Sequence, residues 1–209
     1  MIFVDNMITR FTGDGLFFTS DTHFGHNNIL RFGHRPFDNI DDHDAKLIEN
    51  WNNTVRPNDT VFHLGDFAFG NSKDIQSYVE QLNGHIILIR GNHDDKNIQG
   101  AGITKLFEDV LYQARILVDG RTVYLNHFPF LCFAHGDVDL YKGNYDINLF
   151  GHVHSGPRCN TTDKNRLQYL LPTQYDVGVD NNDFKPISWF EITQIINRQI
   201  YLYEQSKQS

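Results

Sequence analysis

The sequence predicts an α/β protein of two packed mixed β-sheets, a β-sandwich flanked by α-helices. Three observations predict it. Short apolar runs alternate with amphipathic helical stretches over residues 16–89, the pattern that lays helices over a sheet. From residue 112 onward the pattern changes to short strand-like runs with a hairpin signal, which calls for a second sheet. The chain has 209 residues, 40% of them hydrophobic. That length, without repeats or low-complexity tracts, suits one domain over residues 1–209 with a core of its own.

The elements follow in order. Leu16-Phe17-Phe18-Thr19-Ser20 comes after Gly13-Asp14-Gly15 and reads as a buried strand. Asp41 and Asp42 can cap a helix with Leu47, Ile48, Trp51 and Val55 on one face, and Pro57 stops it. Residues 60–64 form the next strand. Ser72 is placed to cap a helix whose face is Ile75, Tyr78, Val79 and Leu82, with Gly84 at its end. Ile86-Ile87-Leu88-Ile89 is continuously apolar, as in a strand covered on both faces. Residues 112–118 and 122–125 flank Asp119-Gly120, a hairpin signal. Residues 148–150 and 175–179 read as further short strands. Ser188 with Glu191 three residues on resembles a capping box, so a helix is expected to begin near Trp189. The polar tail after Tyr203 is expected to fray.

Composition narrows the function classes. Eighteen Lys and Arg against 26 Asp and Glu leave a net charge of −8. An acidic surface repels phosphate backbones, so extended nucleic-acid binding is not expected. No apolar run approaches a bilayer span and the first residues lack a signal-peptide pattern, so neither membrane insertion nor secretion is expected. Only Cys132 and Cys159 are present, which fits a reducing, cytoplasmic setting. Oligomeric state is not legible. Histidine stands out, with 11 residues.

The polar residues of interest follow the expected strands. Asp21-Thr22-His23, Gly65-Asp66, Gly91-Asn92-His93-Asp94, Asn126-His127 and Gly151-His152-Val153-His154 each stand at a strand end. Ligands of α/β sheets bind where loops converge beyond the carboxyl ends of strands. In extended chain, residues i and i+2 point the same way, so Asp21 with His23, and His152 with His154, can face one cavity. Gly65, Gly91 and Gly151 permit sharp turns and close backbone approach. Oxygen and imidazole donors without thiolate favour Mn, Fe, Zn, Ni or Co over Mg, Ca or a structural zinc.

These five blocks, in this order, resemble the calcineurin-like metallophosphoesterases, in particular small bacterial and phage members. The resemblance implies the family's sandwich fold and two divalent transition-metal ions, manganese foremost. It implies that Asp21, His23 and His154 bind the first, that Asn92, His127 and His152 bind the second, and that Asp66 bridges both. It implies that His93 sits over the substrate phosphate and that Asp94 orients His93. A hydroxide held between the metals would attack phosphorus in line, and His93 would assist the leaving group.

Departures narrow the expectation. The second block reads Gly65-Asp66-Phe67-Ala68-Phe69-Gly70, without the phosphate-gripping Arg of the protein phosphatases of this superfamily, and the third ends in Asp94 rather than Glu. A compact phosphodiesterase or phosphomonoesterase acting on a small, nucleotide-like substrate is the expected function. A non-catalytic binding scaffold and a nuclease subunit acting with a partner are its rivals. Two segments are candidates for choosing the substrate. Residues 24–37 carry His26, Arg31 and Arg35, and an Arg there would replace the missing grip. Residues 128–145 carry Phe130, Phe133, His135, Tyr141 and Tyr145, whose rings either pack or stack a base. His43, His63 and His85 lie outside every motif and read as structural.

Overall fold

The computed structural model describes residues 9–98, 101–133, 143 and 145–207. Among them run β1 (Arg10–Phe11), β2 (Leu16–Thr19), β3 (Thr60–His63), β4 (His85–Ile89) and β5 (Asp109–Leu111). Then come β6 (Gln113–Val118), β7 (Arg121–Asn126), β8 (Ile147–Phe150), β9 (Gln174–Asp176) and β10 (Ile187–Ser188). The helices are α1 (Ile29–Phe32), α2 (Ile40–Thr54), α3 (Ser72–Gln81), α4 (Asp94–Asn97), α5 (Ala101–Thr104) and α6 (Trp189–Ser206). Two 3₁₀ segments, Thr162–Tyr169 and Val179–Asn181, complete the described elements.

The strands form two five-stranded mixed sheets, ordered β10-β2-β3-β4-β5 and β1-β6-β7-β8-β9. In the first, β2 to β5 run parallel and β10 antiparallel. In the second, the only antiparallel pair among the described residues is the β6–β7 hairpin. Its turn has φ 47° at Asp119 and 82° at Gly120, left-handed at both central positions, as a tight hairpin requires. Asp119 also accepts from the Gly13 N–H and Trp189 Nε1–H, tying the turn to the start of β2 and to α6.

Period-two alternation sorts the first sheet. Leu16, Phe18, Phe62 and Ile89 pack inward with Ile116, Val118, Val123, Leu125, Ile147 and Leu149 of the second sheet, closed by Trp189, Ile192 and Ile196 of α6. Val61, Ile86 and Leu88 face outward onto Leu47 and Trp51 of α2 and Ile75 of α3. This is the expected sandwich with helices outside.

Three boundaries differ from the sequence reading. The α2 cap is Asn39, whose side chain accepts from the Asp42 N–H at 2.9 Å. Asp41 and Asp42 lie inside the first turn, where negative charge favours the helix dipole. The α3 cap is Asn71 rather than Ser72. It forms a reciprocal box with Asp74 and so satisfies two orphan donors where a serine one residue later would not. The tail stays helical to Ser206. The Ser188–Glu191 box stands where expected. Among the described residues, no helix is long and apolar enough to cross a membrane.

Candidate metal centre

The strand ends do not carry their ligands in extended chain. Asp21, His23, Asp66, His152 and His154 have φ of 58°, 52°, 56°, 67° and 47°. Left-handed backbone in such residues costs roughly 1–3 kcal/mol each and persists where the surroundings over-determine it. It is these kinks, not i/i+2 alternation, that turn the side chains into one place. Glycines make room for them. A Cβ on Gly91 would collide with the Asp66 carboxylate, and one on Gly151 with Ser20 and the Asp21 carboxylate.

Each of two central carboxylates is half tied and half free. Asp21 Oδ2 accepts from the His152 N–H at 2.9 Å, while Oδ1 faces His23 Nε2 at 3.8 Å and His154 Nε2 at 3.7 Å. Asp66 Oδ1 accepts from the His93 N–H at 3.0 Å. Asp66 Oδ2 faces Nε2 of His23, His127 and His93 at 3.6, 3.5 and 3.8 Å. Donor atoms of Asp21, His23 and His154 lie within 4.8 Å of one another, as do those of Asp21, Asp66 and His127.

The tautomers point the lone pairs inward. His127 Nδ1 donates to the Leu64 carbonyl at 2.7 Å and His154 Nδ1 lies 2.6 Å from Asp180 Oδ2. In the neutral imidazole a donor on Nδ1 leaves Nε2 as an acceptor, the arrangement that orients metal-binding histidines. Asn92 Oδ1 then faces His127 Nε2, lone pair to lone pair, at 3.1 Å. Two donors about 2.1 Å from one cation stand about 3.0–3.4 Å apart.

A divalent cation fits this chemistry. Asp21 Oδ1 and His23 Nε2 are buried without a hydrogen-bond partner, a condition that is costly unless something else satisfies them. Burial opposes charge on His154, but the Asp21 carboxylate and the Asp180 bond hold its imidazole protonated up to about 9. Burial pushes Asp66 up to about 7. His152 places no donor atom in either of the two donor groups: its ring centroid lies 5.1 Å from that of His127, and its Nε2 lies 3.8 Å from Asp163 Oδ2.

Two expected roles are corrected. Asp94 does not serve His93. Its carboxylate accepts from the N–H groups of Asp66, Gly91 and Phe67 at 2.7, 2.8 and 3.0 Å, which locks the β3 and β4 exit loops together and positions Asp66. Arg35 does not grip substrate. Its side chain is fully buried and makes a bidentate pair with Asp180 at 2.9 and 2.8 Å. It also donates to the carbonyls of Asp21 and Thr22 and to His43 Nε2, so its five N–H donors are all engaged. Arg31 is exposed, with its guanidinium over Phe32 at 5.3 Å. His26 does reach the centre: its Nδ1 lies 3.3 Å from His23 Nδ1, and it stacks on Phe69 at 3.9 Å. Phe69 also lies 4.9 Å from His93, whose side chain is 43% exposed.

His43, His63 and His85 make structural contacts. His43 bridges Arg35 and Asp44. His63 accepts from the Gly65 N–H and pairs with Thr22 Oγ1, and burial depresses it to about 3. His85 pairs with Glu108 on the surface. Of the aromatic segment, Phe133 packs edge-on to Tyr124 and Tyr145 is buried with its hydroxyl on Asn197. His135 and Tyr141 lie outside the described residues. Sequence reasoning missed Asp180, which follows β9 as the other site residues follow their strands. That position was its only signal.

A sandwich of two mixed sheets, with carboxylate and imidazole donors from both meeting beyond the strand ends, defines an α/β protein with a candidate divalent-metal centre. The chain belongs to the calcineurin-like phosphoesterase superfamily, whose domain matches residues 16–172 and so contains every proposed ligand. It is 30% identical over 186 residues to the uncharacterised protein MJ1445 of Methanocaldococcus jannaschii, covering 88% of this chain and 92% of that one. It is 32% identical over 160 residues to the Gene 66 protein of Mycobacterium phage L5, covering 66% and 76%. A solved protein of unknown function from Aquifex aeolicus, AQ665, superposes with a TM-score of 0.62 at 27% identity, over 86% of this chain and 98% of that one.

Proposed function

We propose that the chain hydrolyses small phosphate esters, diesters before monoesters, with two divalent transition-metal ions, manganese foremost. The observation that carries this reading is the pair of buried, partnerless donors, Asp21 Oδ1 and His23 Nε2, beside an Asp66 oxygen faced by three imidazole nitrogens. Asp21, His23 and His154 would hold one ion, Asn92, His127 and His152 the other, and Asp66 both. Ions bound there neutralise phosphoryl oxygens and acidify water toward neutral pH.

The chain's own residues set the rest. Asp94 and the His93 N–H fix Asp66. Asp180, anchored by Arg35, fixes His154. His93 stands at the open side of the centre, where its ring can give a proton to the departing oxygen. Burial and His127 lower its imidazole from the ordinary value, and an anionic substrate acts in the opposite direction. All seven ligand positions and His93 are filled, which favours catalysis over a docking scaffold.

Chelation should stop hydrolysis of bis-p-nitrophenyl phosphate, and added manganese should restore it. Turnover that survives thorough chelation would overturn the reading. His93→Ala should retain the metals and lose about 10²–10⁴-fold in turnover. Loss of both metals would instead make His93 a ligand.

A further inference from the structure

His152 lines a cavity of about 590 Å³ next to the metal centre, a volume suited to a ligand of nucleotide size. One wall is the segment after His127, with Phe128, Phe130 and Leu131, and another is the 3₁₀ segment that carries Arg166 and Tyr169. Phe128, Leu131 and Tyr169 are 45%, 78% and 68% exposed. Large apolar side chains gathered open beside a polar centre mark a binding surface better than a packing one.

The cavity and the centre share their boundary. The Phe128 ring stands edge-on to His127 at 5.0 Å and to His152 at 4.6 Å. The 3₁₀ wall is tied to the same place: Arg166 Nε donates to Asp163 Oδ1 at 2.9 Å, and Asp163 Oδ2 lies 3.8 Å from His152 Nε2. A ligand that spans both must therefore carry an anionic group for the cations and a flat apolar group for the rings. It must also have polar edges for Asp163 and Arg166.

We propose that this cavity takes the base of a nucleotide ester whose phosphate lies at the metal centre, so that nucleotides are the substrate class. A nucleobase offers aromatic faces to Phe128 and Tyr169 and donor and acceptor edges to Asp163 and Arg166. A saturated sugar or alkyl phosphate leaves the rings unmatched. The inference rests on the phosphoesterase reading for the placement of the phosphate.

The test is binding rather than turnover. Calorimetry on the manganese-loaded protein should show adenosine 5′-monophosphate binding about tenfold tighter than ribose 5-phosphate, the scale of one base–aromatic stack. Tyr169→Ala, at an exposed position, and Phe128→Ala should each bring that ratio toward one. Equal affinities in the wild type, or a ratio unmoved by both substitutions, would overturn the proposal. The two readings fail separately. Hydrolysis of bis-p-nitrophenyl phosphate without base preference removes the base pocket and spares the phosphoesterase. Base preference without hydrolysis supports the pocket and removes the phosphoesterase.

Discussion

Asp66 holds one oxygen on a backbone N–H and turns the other toward three imidazole nitrogens. In the metal-free protein burial pushes its carboxyl up to about 7, so it is protonated below that pH. His154 is the reverse case: against burial, Asp21 and Asp180 keep it charged up to about 9. A cation takes carboxylate and neutral imidazole, so both protons must leave when it binds. The sign is the same for both groups: lower pH opposes binding. Manganese affinity should therefore rise at least about tenfold between pH 6 and pH 8. Calorimetry in buffers of different ionisation enthalpy should show proton release. An affinity independent of pH across that window would contradict the placement of these protons.

Strand-end loops, more than strands, carry the site. Gly151 lets the loop after β8 lie against Ser20 and Asp21, where a Cβ has no space. Gly151→Ala should push that loop, with His152 and His154, away from Asp21 and weaken manganese binding, as read by titration. Unchanged affinity would show that the loop can yield without moving its ligands. The long elements were legible because their signals are local: apolar runs for β2, β3 and β4, Asp119-Gly120 for the β6–β7 turn, Ser188 and Glu191 for α6. The ligands were legible because each follows such a run. β1 and β10 have two residues each, too few for a period. The 3₁₀ segment Thr162–Tyr169 buries none of its residues and so shows no apolar stripe. Arg35 was misplaced because its buried partner, Asp180, is 145 residues away, and a distant ion pair leaves no local trace.

The proposed ligands come from both sheets. Asp21, Asp66 and Asn92 follow β2, β3 and β4, whereas His127, His152 and His154 follow β7 and β8. Cations held between them would cross-link the two layers of the sandwich at one end. They would also satisfy Asp21 Oδ1 and His23 Nε2, which the polypeptide leaves without partners. Metal at about 100 times its Kd stabilises the folded state by about 2.7 kcal/mol. For a domain of this size that is a rise in Tm of about 5–11 °C over the chelated protein. Asp66→Asn should lose most of that rise, because the carboxylate facing both donor groups is gone. Asn71→Ala, which removes the α3 capping box and none of the proposed ligands, should cost about 1 kcal/mol with or without metal and leave the rise intact. Thermal melts of the three proteins, each with EDTA and with manganese, separate the two effects. A wild-type Tm indifferent to manganese would mean that the strand ends do not close around a cation.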